Sequence, residues 1–229
     1  GKALVHILLY ALGLGLIYSN QFQGLGLILI YGYLGLMSGL MGFNISHDAL
    51  HGSFSPKRNI NRWVGYTFDY NGESSFIWKE THNVRHHTFT NITGYDGDID
   101  KSPLIRFSPN DQWHPFNRFQ PIYTWILYSL VSIPWVYYTD YKVFWSALKS
   151  GRATLSDAWV FYSFKVLNLF LLIFLPIMIL SAPWWQILLG NLAMHMIGGF
   201  VISVIFQLAH VVEAVSFPTP KEGKIEDEW

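Results

Sequence analysis

Five of the nine histidines stand in two short clusters, HDALH with His47 and His51, and HNVRHH with His82, His86 and His87. Neutral imidazole binds iron, copper or zinc, and an apolar chain has no structural need for so many of them together. On a helix, residues four apart share a face with Cβ atoms about 5–6 Å apart. His47 and His51 can therefore share one metal, and His82 and His86 repeat the spacing. His87 is turned by about 100° from His86 on a helix of 3.6 residues per turn. Adjacent imidazoles aimed at different points suit two metals side by side better than one. Zinc proteases also use a paired-histidine helix, but they need a glutamate beside the first histidine, and Asp48 stands there instead. Asp48, Asn83 and Glu213 are candidates to orient the imidazoles from behind, and each reads equally well as a solvated helix residue. Cysteine is absent, which excludes disulfides, iron-sulfur clusters, thiolate zinc and cysteine nucleophiles.

The elements that must carry these clusters are membrane elements. With 51% apolar, 17% aromatic and only 13% charged residues, the chain is too apolar for an ordinary soluble domain of 229 residues. Fifteen basic residues balance fifteen acidic ones, so no net field argues for nucleic acid as a partner. Four segments, 3–19, 24–43, 159–181 and 184–209, have the apolar length of about 17–25 residues that a spanning helix needs. Links 20–23 and 182–183 are short and uncharged, which makes each pair a helical hairpin. Basic residues lie elsewhere: Lys2, the stretches 57–118 and 142–152, the tail from Lys221, and Lys165, expected to snorkel from just inside the third span. By the positive-inside rule both termini and residues 44–157 face the cytoplasm. The apolar stretch 120–139, with Ser129, Ser132 and Pro134 and the aromatic end Trp135, Tyr137 and Tyr138, reads as interfacial or re-entrant. The alternative is a true span with inverted topology beyond it. No repeat divides residues 1–229. The expectation is a single all-α integral membrane domain with four transmembrane helices in two hairpins, a cytoplasmic helical cap and an interfacial helix.

His6 and His114 have no ligand-spaced neighbour and are read as non-ligands. His195 and His210 belong to the last span, and the helix between them is about 22 Å long at 1.5 Å per residue, so at most one reaches the clusters. His210, at the cytoplasmic end, is chosen. Gln207, three residues earlier, is expected on the same side as a source of an amide or water contact. His195 with Asn191 forms an intramembrane polar pair, better read as helix-helix hydrogen bonding than as a metal or substrate contact.

An all-imidazole iron pair at the mouth of a membrane bundle suits oxidation of an unactivated methylene, which acid-base groups alone cannot achieve. HDALH, then HNVRHH, TFTN, the acidic YDGDID and a late QLAHVVE together resemble the membrane fatty acid desaturase family, closest to bacterial front-end-like acyl desaturases. The resemblance runs from about Phe43 to the end of the chain. It implies a non-haem di-iron centre that uses O2 and two electrons, delivered by ferredoxin or a small haem cytochrome, to place a cis double bond in a fatty acyl chain. That chain would be carried on CoA, a carrier protein or a membrane lipid. The implied ligands are His47, His51, His82, His86 and His87, with His210 at a further family position. The family's third histidine box has no counterpart between His87 and Trp229, so the chain is expected to be a C-terminally truncated fragment. The implied setting is the bacterial cell membrane more than the endoplasmic reticulum, with the active site on the cytoplasmic face. Sibling di-iron hydroxylases or ketolases share these boxes. A haem carrier would place its histidines on facing spans, and a metal transporter would need a polar path through them.

Overall fold

A computed structural model describes residues 1–97, 99, 104–210, 215–220 and 225, with the backbone alone described at His210. Every regular element among them is helical. Helix α1 (Lys2–Tyr18) and helix α2 (Gly24–Leu50) form the first hairpin, α7 (Leu155–Ile179) and α8 (Trp184–His210) the second. Between them lie α3 (Arg58–Tyr70), α4 (residues 75–86), α5 (Gln120–Leu130) and α6 (residues 132–149). Three helices, Gly24–Leu50, Leu155–Ile179 and Trp184–Ala209, are long and apolar enough to cross a membrane, whereas Lys2–Tyr18 is shorter at 17 residues. Two boundaries differ from the sequence expectation. The second segment does not stop at Phe43 but continues as one helix through HDALH, and the third begins at Leu155.

Small residues bring α2 and α8 together. A Cβ on Gly35 would stand 2.1 Å from the Met194 carbonyl oxygen, and one on Gly190 would meet the Tyr31 ring at 2.5 Å. Backbones approach this closely only where side chains are absent, the usual means of packing helices without a hydrophobic driving force between them. The two hairpin links are tied to each other. Asn20 donates to Ser181 Oγ at 3.0 Å and accepts from the Ser181 N–H at 2.8 Å, and Gly24 N–H donates to Gln186 Oε1 at 2.7 Å.

Pro176 removes a backbone donor inside α7, which should orphan a carbonyl one turn earlier. The helix widens there to i→i+5 bonding over Phe170–Phe174. Tyr31 Oη donates to Leu172 O at 2.8 Å, and Tyr18 Oη donates to Leu171 O, so α1 and α2 supply the donors that the proline withholds.

Lys165 does not snorkel. Its ammonium is buried and donates to Asp140 at 2.7 Å, to Val136 O at 2.8 Å and to Gly72 O at 2.6 Å. The reason is that residues 120–149 fold against the second hairpin and bring a carboxylate to it. Trp125 packs on Phe200, Ser203 donates to Tyr128 O, and Ser132 and Tyr137 bond His195, so α5 and the start of α6 descend along α8. From Asp140 the chain turns to α7, where Phe144 stacks on Phe161 at 4.2 Å. The segment thus runs along α8 toward the link between α7 and α8 and then back along α7. Pro134 and the widened turn Trp135–Thr139 stand near its inner end.

Candidate metal centre

Helix α2 delivers the first histidine pair and α4 the second. The first pair follows a widened turn and the second lies within one. The turn Gly42–Ser46 immediately before His47 is i→i+5 bonded, and Lys79–His86, which holds His82 and His86, is so bonded throughout. Such widened turns recur at functional sites because they re-aim side chains. Here they stack the His82 and His86 rings at 5.0 Å with only 13° between their planes. Asn83 Nδ2 donates to Leu50 O at 2.9 Å and ties α4 to the end of α2.

The five rings converge. Ring centroids lie 4.4 Å apart for His47 and His51, 5.5 Å for His51 and His82, 4.9 Å for His51 and His87, and 4.8 Å for His82 and His87. One ring nitrogen from each of His47, His51 and His82 falls within 4.8 Å of the others, a group able to hold a metal ion. Burial and the neighbouring imidazoles of His47, His82 and His87 push His51 down to about 4, with Asp48 opposing. It is therefore neutral at pH 7, the form that ligates. The donor set is nitrogen only and suits iron, copper or zinc rather than calcium or magnesium.

The sequence reading missed Asp96, which stands behind the second cluster. It is fully buried, and both carboxylate oxygens lie 3.0 Å from His86 Nδ1 while Oδ2 also accepts the Asn91 N–H at 2.8 Å. A carboxylate on Nδ1 fixes the tautomer and leaves Nε2 for a metal. The available signal was the acidic YDGDID stretch. Asp48 lies 3.7 Å from His47 Nδ1 and is half exposed, outside hydrogen-bond reach. Gln207 is not brought to the rings. It lines an outer groove with Arg106 and Trp125, while its neighbour Phe206 packs on His82 at 5.6 Å, because adjacent helical residues diverge by about 100°. Glu213 and the His210 side chain lie outside the described residues.

The other histidines are occupied elsewhere. His6 bonds Lys2 O, and His114 stacks on Phe116 at 5.4 Å. Tyr137 and Ser132 engage the two ring nitrogens of His195 at 2.9 and 3.2 Å, which is interhelical hydrogen bonding, and Tyr137 rather than His195 contacts Asn191. Beneath the cluster Trp78 stacks on His82 at 4.2 Å and packs against Phe206 and Trp135, giving the site an aromatic, water-excluding floor.

The family model described as Fatty acid desaturase matches residues 21–222, a stretch that includes both histidine clusters and Asp96. The chain belongs to the fatty acid desaturase family. The sn-1 linoleoyl-lipid 6-desaturase of Arthrospira platensis is 34% identical over 200 residues, covering 86% of this chain and 54% of that protein. The protein of the same name from Synechocystis is 37% identical over 198 residues, covering 82% and 54%. An acyl-lipid (8-3)-desaturase of Physcomitrium patens is 31% identical over 205 residues, covering 86% and 42%. The chain thus spans about half the length of the curated relatives it matches. No solved structure matches it.

Proposed function

We propose that the protein is a membrane-bound desaturase that places a cis double bond in a fatty acyl chain carried on a glycerolipid, using two iron ions and O2. The observation that supports this most is the convergence of five imidazoles from α2 and α4 over an aromatic floor. The relatives' names, linoleoyl-lipid and acyl-lipid desaturase, favour lipid-linked acyl groups over CoA or carrier-protein esters. His47, His51, His82, His86 and His87 are the proposed ligands. His210 is proposed as a further one, since it stands four residues beyond Phe206, which packs on His82. Iron held there supplies oxidising power from O2 sufficient to break an unactivated C–H bond.

The chain's own residues do the rest. Asp96 holds the His86 ring from behind. Asn83 anchors the second box to the first, and Asp48 lies beside His47. Trp78, Trp135 and Phe206 exclude water and present an apolar wall to the acyl chain. In this reading one domain over residues 1–229 crosses the membrane four times in two hairpins, with α3 and α4 as a cytoplasmic cap and residues 120–139 re-entrant. The hairpin links face away from the cytoplasm, and the site faces it, within reach of a ferredoxin or small haem cytochrome. The membrane is proposed to be a bacterial cell membrane.

The test is iron content and product. The purified full-length protein is expected to bind two irons per chain without haem absorbance and, with a reduced donor and O2, to raise lipid unsaturation. His86→Ala and His87→Ala are each expected to abolish product while membrane insertion persists. A Soret band, one zinc per chain, or an unchanged lipid profile in both variants would overturn the proposal.

A further inference from the structure

One small cavity is lined both by His47 of the histidine cluster and by polar side chains from neighbouring elements. His47, Phe43 and Trp78 line one part, and Ser38, Asn71 and Glu73 line another. It offers about 20 Å³ to the centre of a water molecule, room for a single water. Two buried acceptors, Glu73 Oε2 and Asn71 Oδ1, have no hydrogen-bond partner there, although Asn71 Nδ2 is engaged with Ser38 O at 3.3 Å. Orphaned buried oxygens are destabilising. A water and a protonated carboxyl would satisfy both.

We propose that Glu73, acting through the water this cavity accommodates and with Asn71 as its second anchor, relays protons to the histidine cluster. The inference rests on the desaturase reading above. In that reaction a CH2–CH2 unit gives up two hydrogens, two electrons and two protons enter from outside, and O2 leaves as two waters. The electrons come from the donor protein. The aromatic walls that keep water from the acyl chain also keep out bulk protons, so a proton must be held locally. The Glu73 O–H bond breaks, its proton passes to the cavity water and on toward the histidine cluster, where O2 would be reduced, and solvent reprotonates the carboxylate between turnovers.

The surroundings suit that role. Burial pushes Glu73 up to about 7, and the nearby Lys165 of α7 opposes this while Asp140 of α6 and Asp69 of α3 reinforce it. Tyr10 of α1 also faces Glu73, and Tyr10 packs on Tyr70 of α3 at 5.8 Å. Helix α2 contributes His47, and α8 contributes only the apolar Ile202 and Phe206. A donor whose proton is held near the working pH is the effective kind.

The test compares wild type with Glu73→Gln in lipid nanodiscs. Infrared spectroscopy of metal-free wild type carrying ¹³C-glutamate is expected to show a buried protonated carboxyl that titrates near pH 7 and is missing in the variant. With iron, a reduced donor and lipid substrate, wild-type turnover is expected to fall as pH rises through about 7. The variant, with unchanged iron content and melting temperature, is expected to lose about a hundredfold in turnover and this pH dependence with it. A variant with wild-type rate and pH profile, or a Glu73 carboxyl already ionised at about pH 5, would overturn the relay. Should the variant fail to fold, the wild-type infrared titration decides. An iron-loaded wild type that makes no double bond overturns the desaturase reading instead.

Discussion

At the scale of single residues, a buried carboxylate stands directly behind one of the proposed ligands. Asp96 is fully buried and spends both oxygens on His86 Nδ1, with a backbone N–H as its further partner. Such a contact raises the basicity of the opposite nitrogen and holds the ring plane. Asp96→Asn keeps the volume and removes the charge. It is expected to weaken metal binding about tenfold, measured by chelator competition, with helix content unchanged. Undiminished affinity would show that Asp96 is an ordinary buried carboxylate. Asp48, adjacent to the first histidine and so more prominent in the sequence, sits 3.7 Å away and half exposed. Proximity along the chain was a poorer guide than the loop that folds Asp96 back beneath α4.

At the scale of elements, two interruptions of regular geometry are compensated by neighbours. Pro176 deprives α7 of a donor, and the hydroxyls of Tyr18 and Tyr31 reach Leu171 O and Leu172 O. Tyr31→Phe leaves the Leu172 carbonyl without that donor and is expected to cost about 1–3 kcal/mol in thermal or denaturant unfolding in detergent. The α2/α8 seam is the second case. Gly35→Ala puts a methyl against the Met194 carbonyl, a backbone atom that cannot swing aside. A cost of about 1–3 kcal/mol or more is expected, and a melting temperature equal to wild type would mean that the seam is looser than the structure has it. The widened turns at Gly42–Ser46 and Lys79–His86 lie at this scale too, the first directly preceding His47 and the second carrying His82 and His86.

At the scale of the whole molecule, the second hairpin, the loop after α3 and the segment 120–149 meet at Lys165. Its ammonium bonds Asp140 of α6, Val136 O and Gly72 O of the cap loop, and Asn168 one turn on bonds Tyr70 O. Both partners are buried, so the attraction of the pair is offset by the cost of taking two charges out of water. Lys165→Met alone strands a buried carboxyl and is expected to cost about 3–5 kcal/mol. Lys165→Met with Asp140→Leu is expected to recover most of that loss in the same unfolding measurement. A double variant as unstable as the single one would assign the node a net stabilising role.

Some of this was legible in the residues. The apolar runs, their short uncharged links and the paired histidine spacing determined helices, hairpins and a cluster of imidazoles, because helical periodicity and hydrophobic length act locally along the chain. Choosing hydrogen bonding over metal contact for His195 also follows from its place mid-helix, and the structure supplies Ser132 and Tyr137 as partners. What stayed hidden needed partners from distant segments. Lys165 was expected to snorkel because it lies just inside the third span, yet a fold-back of 25 positions supplies Asp140. Gln207 was placed toward the rings, and the packing of α8 turned Phe206 there instead. Periodicity states which residues share a face. Which way that face points, and which buried oxygen at Asp96 or Glu73 lies behind it, is decided only when the helices pack.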